Sequence, residues 1–346
     1  MKAVIYHGPG QIGYEEVDKP QRQFPTDAIV KVTKTTICGT DLHIIKGDVP
    51  EVTNGRILGH EGIGIIESVG DSVSHFKPGD KVIISCITSC GSCRYCKRAL
   101  PAHCEDGGWI LGHLIDGTQA EYVRIPHADN SLYLIPDGVD DESALMLSDI
   151  LPTGFEIGVL NGQVKPGDSV AFVGAGPVGM AAMMTSQFYS PAQIIMIDVD
   201  DNRLEVAKRF GASHTINPLR EDVNQVIGQL THGDGVDVAV ECVGVSKTFD
   251  ICQQIVSKGG HLANVGVHGQ SVDLQLQDLW IKNVTITTGL VNAISTPMLL
   301  KSLATQRVEA SKLVTHTFTF DEFLTAYKVF TNAAQEKAMK VVIEAK

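Results

Sequence analysis

Along the first third of the chain, apolar and polar positions alternate over short runs separated by turn residues. Residues 2–6, 28–36, 62–69 and 81–86 read as strands, the second with β-branched residues at alternating positions. Lys77-Pro78-Gly79-Asp80 is a turn, because proline presets its backbone angle and glycine accepts a positive one. Many short strands at close spacing predict a β-barrel-like domain. After about Leu151 apolar strands begin to alternate with helical periodicity, the pattern of a parallel sheet built from right-handed crossovers. Strands are expected at 169–173, 194–198, 236–240, 261–265 and 284–288, and helices at 178–189 and 202–210, the latter closed by Gly211. This stretch predicts a doubly wound α/β domain. From about Ile294 the mixed pattern returns, with a helix at 321–332 and a last strand at 338–343 that should fold back on the first domain. The expected division is therefore 1–150 with 294–346, and 151–293.

Composition narrows the possibilities. A length of 346 residues, 43% hydrophobic and 20% charged, is that of a soluble globular chain large enough for two cores. The 40 acidic and 28 basic residues leave a formal charge of -12, which opposes binding to nucleic acid or an anionic membrane. Residues 1–10 contain no apolar segment of signal-peptide length, so a cytoplasmic protein is expected. The uncharged run at 169–197 is cut by Gly174, Gly176, Pro177, Gly179 and Pro191 into pieces shorter than the about 20 residues of a membrane span.

Three motifs carry chemistry. Cys38-Gly39-Thr40-Asp41-Leu42-His43 and Gly59-His60-Glu61-Gly62 place a thiol, a hydroxyl, two imidazoles and two carboxylates in two short clusters. A catalytic zinc takes three protein ligands and keeps a fourth position open, so Cys38 and His60 are part of a metal site awaiting another ligand. Taken singly, Cys38 is equally a small buried hydrophobe and His60 a core histidine. Cys90, Cys93, Cys96 and Cys104, with two, two and seven intervening residues, suit a closed tetrahedral zinc site without chemistry of its own. An iron-sulfur cluster uses similar runs, but no proline follows the last cysteine here. Cys86, Cys242 and Cys252 sit in apolar contexts and read as core residues.

Gly174-Ala175-Gly176-Pro177-Val178-Gly179 follows an expected strand and opens an expected helix, as a dinucleotide-binding turn does. Asp198 ends the next strand about 20 residues on, where a carboxylate can bond ribose hydroxyls and repel the extra phosphate of NADP. NAD is therefore the expected cofactor, with Arg203 as a cation that complicates the preference.

The order of these motifs resembles the zinc-dependent alcohol dehydrogenases of the medium-chain dehydrogenase/reductase superfamily, over essentially the whole chain. The resemblance implies a GroES-like β-barrel catalytic domain, with a structural zinc lobe at about 88–105, split around a Rossmann domain. It implies Asp149, in Ser148-Asp149-Ile150-Leu151-Pro152-Thr153-Gly154, as the missing zinc ligand, at the place where animal and yeast enzymes carry cysteine and the bacterial secondary alcohol dehydrogenases carry aspartate. An N-cap role would equally suit an aspartate there.

On the same resemblance Glu61 either binds the zinc transiently when water is displaced or stands behind the ligands, and it is taken as an expected ligand in the resting enzyme; Thr40, the cofactor ribose and His43 form a proton relay. Thr153, Val243, Val265 and Leu290 join the cofactor site, and Trp109 and Leu111 the substrate pocket. Two zinc ions per chain, one catalytic and one structural, and a homotetramer are also implied. The implied reaction interconverts small alcohols with aldehydes or ketones. Polyol, threonine and formaldehyde dehydrogenases are the nearest alternatives, and a non-enzymatic structural protein of this fold is the more distant one. Glutamate usually stands at the place of Asp149 in the polyol and threonine enzymes, and the formaldehyde branch is longer.

Overall fold

The structure is a computed structural model that describes residues 1–345. The chain divides into two compact units, Met1–Pro152 with Asn292–Lys346, and Thr153–Val291.

In the first unit, Ala28–Thr36 is the central strand of a seven-stranded sheet. It pairs antiparallel with Gly62–Val69, Tyr122–Ile125 and Lys340–Glu344. Lys81–Ile84 and Leu132–Leu134 continue one side, and Val314–Thr319 pairs parallel with Lys340–Glu344 on the other. A second sheet joins Gln11–Glu16, Lys2–Gly8 and Arg56–Ile57. Alternating side chains such as Val30 and Val32 enter a core with Val4, Ile37, Ile44, Leu58, Ile84 and Phe323. The C-terminal segment thus supplies two strands and part of the core to this unit.

The helix Gly39–Lys46 begins where the chain leaves the central strand. Cys38 is its extended N-cap, and its amide donates to the Asp41 carboxylate at 2.9 Å, satisfying a donor that the helix leaves unpaired. Gly47 ends the helix at φ 88°, a conformation that glycine adopts without steric cost.

The second unit is built on six parallel strands in the order His214–Ile216, Gln193–Ile197, Ser169–Val173, Val236–Glu241, Val256–Asn264 and Thr285–Thr288. Chain order reverses between Ser169–Val173 and Val236–Glu241, which makes their carboxyl ends the switch point where doubly wound sheets bind ligands. The helix expected at 178–189 runs as Pro177–Ser186 followed by a 3-10 turn, because proline is preorganised for the first helical position. Helices Val223–Leu230 and Ser246–Ile255 were not expected, and strand Val256–Asn264 starts earlier than its apolar half suggests. Lys258-Gly259-Gly260 interrupts that strand's hydrophobic pattern, and its register on Val236–Glu241 shifts there, from Val256 opposite Val236 to His261 opposite Val238. Among the described residues, no helix is long and apolar enough to cross a membrane.

Candidate active site and metal centres

Three local features of the first unit position one set of four donors. Cys38 caps a helix, His60 and Glu61 immediately precede the strand Gly62–Val69, and Asp149 immediately precedes the helix Ile150–Thr153. Each of the four offers a ligand atom, and these atoms lie within 4.8 Å of one another. His60 Nε2 is 3.4 Å from Asp149 Oδ2, and Cys38 Sγ is 3.8 Å from the same oxygen. A tetrahedral zinc with bonds of about 2.0–2.3 Å holds its ligands roughly 3.3–3.8 Å apart, so thiolate, imidazole and carboxylate here fit that metal.

The electrostatics point the same way. Burial pushes the Cys38 thiol up, against the pull of His60. Burial opposes protonation of His60, yet its hydrogen bonds to Asp149 and Cys38 carry it well above the usual histidine range. Zinc ligands bind deprotonated, so a divalent cation would release protons from these donors. The helix N-terminus beneath Cys38 favours its thiolate further.

Polar groups that the sequence reading did not assign hold these donors in place. Asp41 is buried, accepts from Cys38 N, and receives Gln119 Nε2 at 3.0 Å, while its other oxygen stands 3.9 Å from His60 Nδ1. Tyr327 donates to Gln119 Oε1 at 2.6 Å, so the C-terminal segment sets which way that amide points. Lys340 lies on the other side and gives both Glu61 oxygens a hydrogen bond, at 2.7 and 2.8 Å, with each residue 1% exposed. Removing one member of such a buried pair costs about 3–5 kcal/mol, because the other is left charged and unpaired. The only sequence signal for Lys340 is a lone cation in the apolar run Ala338-Met339-Lys340-Val341-Val342-Ile343. The resting-state ligation expected of Glu61 thus has a competitor that periodicity does not reveal.

Thr40 Oγ1 is 3.7 Å from Cys38 Sγ. His43 is three residues further along the same helix and so shares a face with Thr40. Its Nδ1 faces Asp48 Oδ2 at 2.9 Å, which leaves Nε2 as the available ring nitrogen. Trp109 meets His60 edge-on with ring centroids 6.4 Å apart, and His113 stacks on it at 4.3 Å. Leu111, expected in the substrate pocket, is instead 0% exposed within the apolar core.

The second donor set is Cys90, Cys93, Cys96 and Cys104, whose sulfurs also lie within 4.8 Å of one another. Cys93 and Cys96 Sγ are 3.5 Å apart, and Cys90–Cys96 and Cys93–Cys104 are each 4.0 Å apart. These separations exceed the about 2.05 Å of a disulfide and match four thiolates around one zinc. The Cys90 thiol is drawn down to about 6: burial opposes this, but hydrogen bonds from Ser92 and from the Cys93 amide prevail. Burial pushes Cys104 up to about 12. Cys86 and Cys252 are buried, and Cys242 is half-buried.

In the second unit the turn 174–179 lies at the switch point. Gly174 has φ 112°, and a Cβ there would meet Val243 Cγ2 at 2.5 Å. A Cβ on Gly179 would come within 1.9 Å of Gly174 O, so helix and strand pack at glycine-only distance. Gly176 opens onto free space apart from Arg203, whose Nη1 stands 3.8 Å from its Cβ position. Asp198 accepts from Ala175 N at 2.6 Å and from Asp200 N at 2.8 Å, tying the acidic strand end to the turn. Val178 and Thr153 are half-buried, Val243 and Leu290 are exposed, and Val265 is nearly buried.

Comparison with known proteins agrees with this geometry. Residues 24–137 match the alcohol dehydrogenase GroES-like domain, and residues 177–305 match the zinc-binding dehydrogenase domain. An alcohol dehydrogenase of Cupriavidus necator is 36% identical, with 99% of this chain and 98% of that protein covered. The solved structure of zinc-dependent alcohol dehydrogenase 2 from Streptococcus pneumonia, in its apo form, superposes with a TM-score of 0.96 at 56% identity, covering 100% of this chain and 99% of the other. Alcohol dehydrogenase TADH from Thermus sp. ATN1 gives 0.92 at 34% identity, covering both chains fully. With a GroES-like unit, a doubly wound unit and these full-length relatives, the chain belongs to the zinc-dependent alcohol dehydrogenases of the medium-chain dehydrogenase/reductase superfamily.

Proposed function

We propose that the protein is an NAD-dependent dehydrogenase of simple primary or secondary alcohols. The observation that carries this reading is the convergence of the Cys38, His60 and Asp149 donors within 4.8 Å, in the unit that also holds Thr40 and His43. These three side chains would hold the catalytic zinc, and Cys90, Cys93, Cys96 and Cys104 the structural one. When bound, the catalytic zinc supplies Lewis-acid polarisation of the alcohol hydroxyl.

When bound, NAD would accept a hydride from the carbinol carbon, which leaves the hydroxyl proton for side chains of this protein to remove. Thr40 receives that proton on its hydroxyl and passes on its own, so it never carries a charge. His43 takes the proton outward on Nε2, since Asp48 occupies Nδ1. Trp109, edge-on to His60, bounds the space beside the donors and excludes water there. In the second unit Gly174, Gly176, Pro177, Val178 and Gly179 present the phosphate-binding helix end, and Asp198 with Arg203 receives the adenosine ribose. Thr153, Val243, Val265 and Leu290 would line the rest of the cofactor surface. The two metal sites require five of the eight cysteines as free thiols, which suits a reducing cytoplasm. A homotetramer is the proposed assembly, which light scattering would measure.

A steady-state panel of primary, secondary, cyclic and polyhydric alcohols with NAD and with NADP tests this reading. Simple alcohols with NAD should give the highest kcat/KM. A higher value with NADP would overturn the role given to Asp198, and a preference for polyols would overturn the substrate class.

Thr40→Ala should lower kcat by about 100-fold, within the 10²–10⁴ contributed by a positioned proton-transfer group, while both metals stay bound. Retained kcat would remove Thr40 from the relay.

A further inference from the structure

The strand Lys340–Glu344 contributes no donor to the metal cluster, yet it reaches it. Lys340 is one of the largest fully buried side chains of the protein and stands in the strand next to the central Ala28–Thr36. Its ammonium grips both oxygens of Glu61, at 2.7 and 2.8 Å. Glu61 is nonetheless grouped with Cys38, His60 and Asp149, its carboxylate oxygen within 4.8 Å of their donor atoms. One carboxylate thus stands between two cation positions, of which the chain itself occupies one.

We infer that Lys340 is a positioning residue that keeps Glu61 out of the metal's ligand set in the resting protein and so holds the fourth position open. This rests on the reading of Cys38, His60 and Asp149 as the catalytic zinc ligands. The physical basis is a competition for one charge. While both Glu61 oxygens accept from Lys340, the carboxylate is neutralised and oriented by a partner that cannot leave, because Lys340 is enclosed on all sides and anchored by its strand. Without the ammonium, the nearest remaining cation for a buried carboxylate is the metal, and an uncompensated buried charge drives it there. A fourth protein ligand would close the site, as in structural zinc sites.

The test uses the holoenzyme with cobalt(II) in the catalytic site and zinc retained in the four-cysteine lobe. The visible d–d bands of cobalt report coordination number, and the thiolate-to-cobalt charge-transfer band reports Cys38. In Lys340→Met the d–d bands should change shape and intensity without substrate present, and release of the metal to a chelator should slow by about 10-fold or more. Adding Glu61→Gln to that variant should restore the wild-type spectrum. Lys340→Arg, which keeps the charge, should preserve it throughout. An unchanged spectrum in folded Lys340→Met would overturn the inference.

Glu61→Gln alone decides the matter even if Lys340→Met does not fold. Its resting spectrum should equal that of the wild type, and a changed one would show Glu61 already bound to the metal. Absence of the thiolate charge-transfer band in the unmutated protein is a different result, since it would overturn the metal site itself.

Discussion

Asp149→Ala is expected to lower the zinc content from two ions per chain to one and to reduce kcat/KM by more than about 100-fold. Asp149 Oδ2 stands 3.4 Å from His60 Nε2 and 3.8 Å from Cys38 Sγ, so it is the atom that converts a two-donor arrangement into a three-donor one. Alanine leaves a thiol and an imidazole, which cannot hold zinc against water with comparable affinity. Asp149→Cys should retain the metal, because a thiolate is an equally competent ligand. Metal analysis beside steady-state kinetics checks both variants. Two zinc ions per chain in a folded but inactive Asp149→Ala protein would remove Asp149 from the ligand set and leave it a different catalytic task.

Cys104→Ser should have the larger effect on stability. Beyond the Thr88–Gly108 bridge at its base, the lobe at 88–108 has two short 3-10 turns, Cys96–Arg98 and Pro101–His103, so little besides the metal gives it a shape. Structural zinc contributes about 10–16 kcal/mol of binding free energy in small peptides, and part of that is folding free energy here. Tm should fall by at least about 10 °C, with one zinc lost per chain and new proteolytic cleavage confined to the lobe. Because the catalytic donors lie on other segments, activity of the freshly folded variant at low temperature should fall far less than in Asp149→Ala. An unchanged Tm with both metals present would show that three thiolates suffice or that the lobe is held by its packing.

Much of the architecture is legible from the chain because its physical signals are local. Strand alternation in the first unit and the strand, turn, helix, strand order around Gly174 each depend on residues within one element of one another. The four cysteines are legible for the same reason, since 14 positions separate the first from the last. Misses in the second unit have equally local causes. Gly259 and Gly260 disguise the start of a strand, and helix Ser246–Ile255 mixes lysine, aspartate and two glutamines with a narrow apolar stripe.

The amino-acid sequence by itself determined the donor types, the glycines that permit close backbone approach, and the acidic residue after the second parallel strand. Those follow from side-chain chemistry and short spacing, which survive without coordinates. Tertiary structure alone decided what surrounds the donors. It put Leu111 in the core rather than beside a substrate, turned Gln119 through Tyr327 towards Asp41, and drove Lys340 from the far end of the chain onto Glu61. A buried ion pair between residues 279 positions apart leaves no periodicity to read. It exists because two strands distant in sequence enter one sheet, and burial then leaves each charge no partner but the other.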